Sequence, residues 1–218
     1  MKTINLAMLF ALTIFLFSCS EQESAWFPVV GMGSMKTESR ILEPFTKVKS
    51  LINCDVTILK NDRQGLTLTA QENLLAILET EVVNGTLFIS FGSHVAESDS
   101  TMAVSISVPE MKELTFSGSG NVSSDLGIAS INLTGTGNVR CLGETDQLSV
   151  KLLGSGNVDL EAMKVKNADI KISGNGNVSL HVTDKLNVTI PGVGVVYYSG
   201  MPNIQQNITG IGQVIGRK

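Results

Sequence analysis

The chain has 218 residues, of which 43% are apolar and 5% aromatic, with a single tryptophan, Trp26. Its formal charge is −4 and it has no basic block. That composition builds a core for one domain or two small ones. It argues against nucleic-acid binding, which needs clustered Lys and Arg, and against electrostatic docking on an anionic surface.

Residues 1–18 are not part of the fold. Lys2 supplies a basic start, and an apolar run from Ile4 to Phe17 is broken only by Asn5 and Thr13. The run has the length of a signal-peptide core and is short for a membrane span. It ends in Leu16-Phe-Ser-Cys19, which resembles the bacterial lipoprotein signal, although Phe17 is bulkier than the usual residue there. The resemblance implies that Cys19 becomes the lipidated first residue of the mature chain. An ordinary secretory signal with an incidental Cys19 is the other reading. Ser20-Glu-Gln-Glu23 lacks the aspartate after Cys19 that resembles an inner-membrane retention signal. Its acidity is similar to the surface-export signal of Bacteroidetes lipoproteins, which implies the outer membrane and leaves the facing of the anchor open.

Residues 19–40 read as lipid anchor and flexible tether. Pro28, Gly31, Gly33 and Ser34 fall in a stretch with no sustained period. Trp26 and Phe27 can touch lipid headgroups or cap the domain.

Residues 41–116 form a β-rich N-terminal portion. Val56-Thr-Ile58, Leu66-Thr-Leu68 and Val104-Ser-Ile106-Ser-Val108 alternate apolar and polar residues. Asn84-Gly85 between apolar runs predicts a hairpin. Asn73 to Thr80 carries a short helical pattern, but in an all-β context it reads as a turn plus a strand. Gly92 to Thr101, with His94, reads as a polar loop, and Pro109 ends a strand.

Residues 117–218 are a repeat. Gly118, Gly120 and Asn121 return as Gly135, Gly137 and Asn138, as Gly154, Gly156 and Asn157, and as Gly174, Gly176 and Asn177. Weaker copies hold Gly192 with Gly194 and Gly210 with Gly212. The period is 17 to 20 residues. That is too short for two helices and a loop, and it suits one coil of a β-solenoid. About six coils at strand spacing make a rod of roughly 30 Å. The Gly-x-Gly pairs mark a corner, and the stacked asparagines are placed to form an amide ladder. No copy completes a nucleotide-binding Gly-x-Gly-x-x-Gly.

No catalytic constellation is visible, and no cofactor or metal site is expected. His94 and His181 stand apart, and no cluster of Cys, His and Asp has ligand spacing. Asp125, Asp146, Asp159, Asp169 and Asp184 fall at unequal offsets from their glycines and read as solvated turn residues. Cys54 and Cys141 read as two buried small hydrophobes rather than a bridge. Tyr197 and Tyr198 are the best ligand-contact candidates in the repeats. Neighbours in a strand face opposite ways, so one can pack while the other stacks on a sugar. Packing in the core or at a corner is the alternative.

Taken with Tyr198-Ser-Gly200-Met-Pro202-Asn-Ile204 and the closing Thr209-Gly-Ile-Gly-Gln-Val214, the serial Ser-Gly-Ser-Gly-Asn-Val copies resemble the bacterial "putative auto-transporter adhesin, head GIN domain" family over about Phe45 to Ile215. The resemblance implies a right-handed β-helix-like fold with a β-sandwich-like start, on secreted or lipid-anchored proteins. The expected function is a non-catalytic, lipid-anchored envelope protein that binds a glycan or a surface protein through its solenoid. A periplasm-facing structural protein and a pectinase-like β-helix enzyme are the alternatives. The last coil has little cap beyond Arg217 and Lys218, so self-association through that end is expected.

Overall fold

The computed structural model describes residues 28–217. The leader, Cys19, Trp26 and Phe27 lie outside the described residues.

Alternating sequence dictates the architecture. In each coil one strand enters a first sheet, a corner follows, and a second strand enters a second sheet. The first sheet runs through Thr86–Ser90, Lys47–Ser50, Glu113–Phe116 and Ser130–Leu133, then residues 148–152, 167–172 and 185–190, and ends at Asn203–Ile208. The second runs through Ala103–Val108, Asp55–Lys60, Ser119–Ser124 and Thr136–Cys141, then residues 155–160 and 175–181, and ends at Val193–Ser199 and Ile211–Gly216. All these neighbours are parallel. A third, shorter side closes the coil where Thr145 pairs with Val165 and Val165 with Val182.

Every second residue points inward and stacks on its counterpart in the next coil. Val56, Val122, Val139, Val158, Val178 and Val196 make one buried column. Leu114, Ile131, Val150, Ile170 and Val188 make another in the first sheet. Identical side chains at strand spacing bury one another along the axis, which is why the same residue types recur at the same places.

The six glycine pairs stack in register, joined by five turns. Gly120, Gly137, Gly156, Gly176, Gly194 and Gly212 each pair with the next across adjacent strands. A Cβ on Gly156 would run into the carbonyl oxygen of Gly137, and one on Gly176 into that of Gly156. The corner therefore takes glycine because backbone lies where a side chain would be.

The N-terminal portion is a mixed sheet continuous with the solenoid. Its coils stack out of chain order, since the 47–60 coil lies between the later 86–108 coil and Glu113–Phe116. Antiparallel strands then cover the end. Gly65–Gln71 pairs with Ala103–Val108, and Glu79–Val83 forms a hairpin with Thr86–Ser90 through Asn84 and Gly85, both at positive φ.

Three expectations need correction. The tether does not extend to residue 40: Val29–Val30 pairs with Ala96–Glu97, and Met35–Arg40 is an edge strand antiparallel to Gly65–Gln71. Its sequence, Met-Lys-Thr-Glu-Ser-Arg, has no apolar alternation because backbone pairing and hydroxyl contacts hold it, including Thr37 Oγ1 to Thr69 Oγ1 at 3.0 Å. The segment around Asn73 contains one helical turn, Glu72–Leu75, before the strand starting at Glu79. The turn forms because it buries Leu74 and Leu75 together. The expected polar loop at 92–101 also contributes the short strand Ala96–Glu97.

Cys54 and Cys141 are buried and unbridged. Burial pushes the Cys54 thiol up to about 11, opposed by its contact with Ser50 Oγ at 3.7 Å. Burial, with Asp159 nearby, pushes Cys141 up to about 12.

Two predictions follow from this packing. Gly156→Ala should lower unfolding free energy by at least about 3 kcal/mol, whereas Gly85→Ala, whose site is open but at positive φ, should cost only about 1 kcal/mol. Urea unfolding of both variants checks the contrast. Neither cysteine should react with a disulfide-exchange dye at pH 8 until the chain unfolds. Because both folded pKa values are raised, the stabilisation they reflect is complete below the usual thiol value of 9.0 and is lost as pH rises toward 11 and 12.

Candidate binding face

The outward positions of the second sheet form the most regular surface of the molecule. The asparagine ladder runs down its length. Asn138 Nδ2 donates to Asn121 Oδ1, Asn157 Nδ2 to Asn138 Oδ1, and Asn177 Nδ2 to Asn157 Oδ1, each at 3.1 Å. Both ends are anchored. Asp55 Oδ1 accepts from the Asn121 main-chain N–H at 2.8 Å and from its Nδ2 at 3.3 Å. Asn177 Oδ1 accepts from the Val195 N–H at 3.1 Å. The amides therefore point head to tail, and each bond polarises the next. An amide NH2 has two donors. One is used in the ladder, so each asparagine keeps a second N–H, repeated at strand spacing of about 4.8 Å.

Hydroxyls flank this row. Ser119, Thr136 and Ser155 stack on one side of it. Toward the N-terminal end Thr57, Ser105 and Thr67 continue the column of Ser123. Charge is scarce among the outward positions of this sheet as far as Ser179. Asp55 holds the ladder, and Arg140 and Asp159 pair with each other at 3.7 Å. The outward face of the first sheet differs sharply. It carries Lys47, Lys49, Glu113, Lys151, Asp169 and Lys171.

The last two coils change character. Val193 and Val195 stand where Asn175 and Asn177 stand one coil earlier. Tyr197 points outward, and the Arg217 guanidinium lies 3.8 Å from its ring centre and also pairs with Glu161. One face of that ring is therefore covered. Tyr198 points inward and is packed against the core.

The remaining candidates lie apart. His181 Nδ1 sits 2.9 Å from Ser199 Oγ, and His94 Nδ1 sits 3.2 Å from the Phe91 carbonyl oxygen. Asp146 and Asp184, expected to be scattered, share a groove of about 630 Å3 on the third side with Glu144, but Lys164 and Lys166 line it too. A second groove of about 640 Å3 near the N-terminal end is lined by Arg40, Ile41, Leu42, Pro44 and Asp62. Among the described residues no cluster of His, Cys, Asp and Glu is arranged to hold a metal ion.

Sequence reasoning finds the asparagines but misses Asp55, which lies 66 residues before Asn121 in a coil without the glycine pair. It also misses Arg40, whose Nη1 donates to the Leu78 carbonyl oxygen at 2.7 Å and fixes the edge strand. Asn157→Ala removes two ladder bonds and should cost about 1–2 kcal/mol, measured by chemical unfolding. Lys171→Ala on the charged face should change stability by less than about 0.5 kcal/mol.

Known proteins place this architecture. A putative adhesin from Bacteroides fragilis NCTC 9343 is 18% identical, with a TM-score of 0.62, covering 87% of this chain and 100% of that one. A putative adhesin from Parabacteroides merdae ATCC 43184 is 20% identical, with a TM-score of 0.55, covering 87% and 99%. A structure from Parabacteroides distasonis ATCC 8503 described as a putative lipid binding protein is 21% identical, with a TM-score of 0.56, covering 88% and 100%. At these identities the likeness is one of fold. No curated protein matches the chain. The matched family segment is residues 44–202, which stops before the closing Gly210 and Gly212. The chain belongs to the family described as "Putative auto-transporter adhesin, head GIN domain".

Proposed function

We propose that this protein is a non-catalytic adhesin, anchored by a lipid on Cys19 in the outer membrane, that binds neutral polysaccharide through the asparagine face of its second sheet. The observation that carries this reading is the ladder itself. Asn121, Asn138, Asn157 and Asn177 are held rigidly, and each keeps an unused N–H at a regular spacing. A row of fixed donors between hydroxyls suits a polymer that repeats hydroxyl and ring oxygens. A face nearly free of charge suits one without charge. Preorganisation lowers the entropic cost of binding, because the amides are already ordered.

Family membership supports the adhesive part of the reading. The leader and Leu16-Phe-Ser-Cys19 support the anchor. The mixture of Lys164 and Lys166 among Glu144, Asp146 and Asp184 weighs against a paired-carboxylate hydrolase in that groove. A periplasm-facing structural role is the second reading, favoured if the anchor faces inward.

The test has two arms. Protease shaving of intact cells, with a periplasmic control, should cut the protein and spare the control. Resistance until the envelope is opened would remove the rationale for adhesion. Binding of the wild-type chain to mannan, dextran and arabinogalactan should be detectable for at least one. Ser155→Glu, an exposed change on the face, should weaken that binding by about tenfold through loss of a hydrogen-bonding position and added charge. Failure of all three polysaccharides to bind, or no effect of Ser155→Glu, would overturn the assignment of this face.

A further inference from the structure

The two ends of the solenoid are built differently. At the N-terminal end the edge strand Met35–Arg40 turns Lys36, Glu38 and Arg40 to the side of its neighbours' buried residues Ala70, Leu68 and Leu66. Inward-pointing charges on an edge strand prevent another strand from adding to it. At the C-terminal end Asn203–Ile208 pairs only with residues 185–190, and Ile211–Gly216 only with Val193–Ser199, among the described residues. Residues 203–216 contain no charged residue. Ile204, Ile208 and Val214 are only partly buried at the end of columns that are fully buried one coil earlier. The open end thus offers an unpaired, uncharged backbone edge and an incompletely covered core.

Gln206 indicates what covers it. It occupies the inward column directly beyond Val188, where the preceding coils hold only apolar residues. It is exposed in the single chain. A polar residue there would be a liability under an apolar partner, since a buried amide without a partner is destabilising. A second Gln206 satisfies it, because an amide both donates and accepts.

We propose that the C-terminal coil binds the same coil of a second copy, through antiparallel pairing of Asn203–Ile208 about a two-fold axis at Gln206. A two-fold axis perpendicular to the strand reverses its direction, so the pairing is antiparallel. Opposed residues in such a pair share a face. Inward residues therefore meet inward residues in any register centred on a residue, but centring on Gln205 sets Ile204 against Gln206 and centring on Asn207 sets Ile208 against Gln206. The register centred on Gln206 sets Ile204 against Ile208 of the other copy, Gln206 against Gln206, and Gln205 against Asn207. Apolar meets apolar and amide meets amide. The contact is isologous and closes at two copies, because each C-terminal edge is occupied by its counterpart. The two N-terminal ends then lie at opposite ends of the assembly. With copies anchored in facing membranes, this is adhesion by self-recognition. That last step rests on the lipid anchor proposed above, whereas the pairing itself does not.

The test is cysteine cross-linking of the full chain. Gln206→Cys should oxidise to a covalent dimer, since opposed residues of an antiparallel pair lie about 4.5–5.5 Å apart at Cα, within disulfide reach. Gln205→Cys alone should not, but mixed with Asn207→Cys copies it should. The wild-type chain, with its own cysteines, is the background, and exposed Met201→Cys reports random collision. Gln206→Lys, which sets two like charges together, should weaken association by about a hundredfold or more while leaving urea unfolding of the single chain unchanged. Equal cross-linking of Gln206→Cys and Met201→Cys would overturn the register. A wild-type mass that stays monomeric at all concentrations would overturn the pairing. If pairing holds but shaving shows an inward-facing anchor, the dimer stands and the adhesive step falls.

Discussion

The close approach of backbone to backbone at the glycine corner is the constraint on which the structure depends. The carbonyl oxygen of one glycine occupies the place where the next coil's Cβ would stand, from Gly118 beneath Gly135 to Gly192 beneath Gly210. That contact fixes where each coil turns. Once the corner is fixed, the strands on either side have no freedom of register, because a slip of one residue would turn the whole apolar set outward. The valine columns, the asparagine ladder and the hydroxyl rows all follow from one repeated turn.

A fixed register also explains how a surface can be both regular and functional. The inward residues are chosen by packing and leave little room for variation. The outward residues are not, so the two sheets of the same coils carry different chemistry. One is a charged face that includes Lys151 and Lys171. The other is an amide and hydroxyl face with a single internal ion pair. The difference cannot come from the corner or the core, since both faces share them. It is where selection for binding would act on this scaffold.

Much of this was legible in sequence because the solenoid repeats its own instructions. The period placed the corner, and the Ser-Gly-Ser-Gly-Asn-Val copies placed the ladder. Segments that escaped reading carry no such local pattern. The edge strand Met35–Arg40 is polar at nearly every position, because its partner supplies hydroxyls such as Thr69 and its own Arg40 is held by main-chain oxygens. The 47–60 coil sits between two coils that come later in the chain, an order that no alternation reveals. Asp55 carries no local signal in the sequence, and only that stacking places it under Asn121. The lone helical turn at Glu72–Leu75 is too short for its period to be distinguished from that of a strand.

The central claim is that the asparagine face, rather than a groove or the charged face, meets the ligand. The most direct measurement is nuclear magnetic resonance of the side-chain NH2 groups during titration with neutral oligosaccharides. The account predicts shifts concentrated on Asn121, Asn138, Asn157 and Asn177, with their serine and threonine neighbours. Shifts confined to Lys151 and Lys171, or to the groove of Glu144, Asp146 and Asp184, would contradict it.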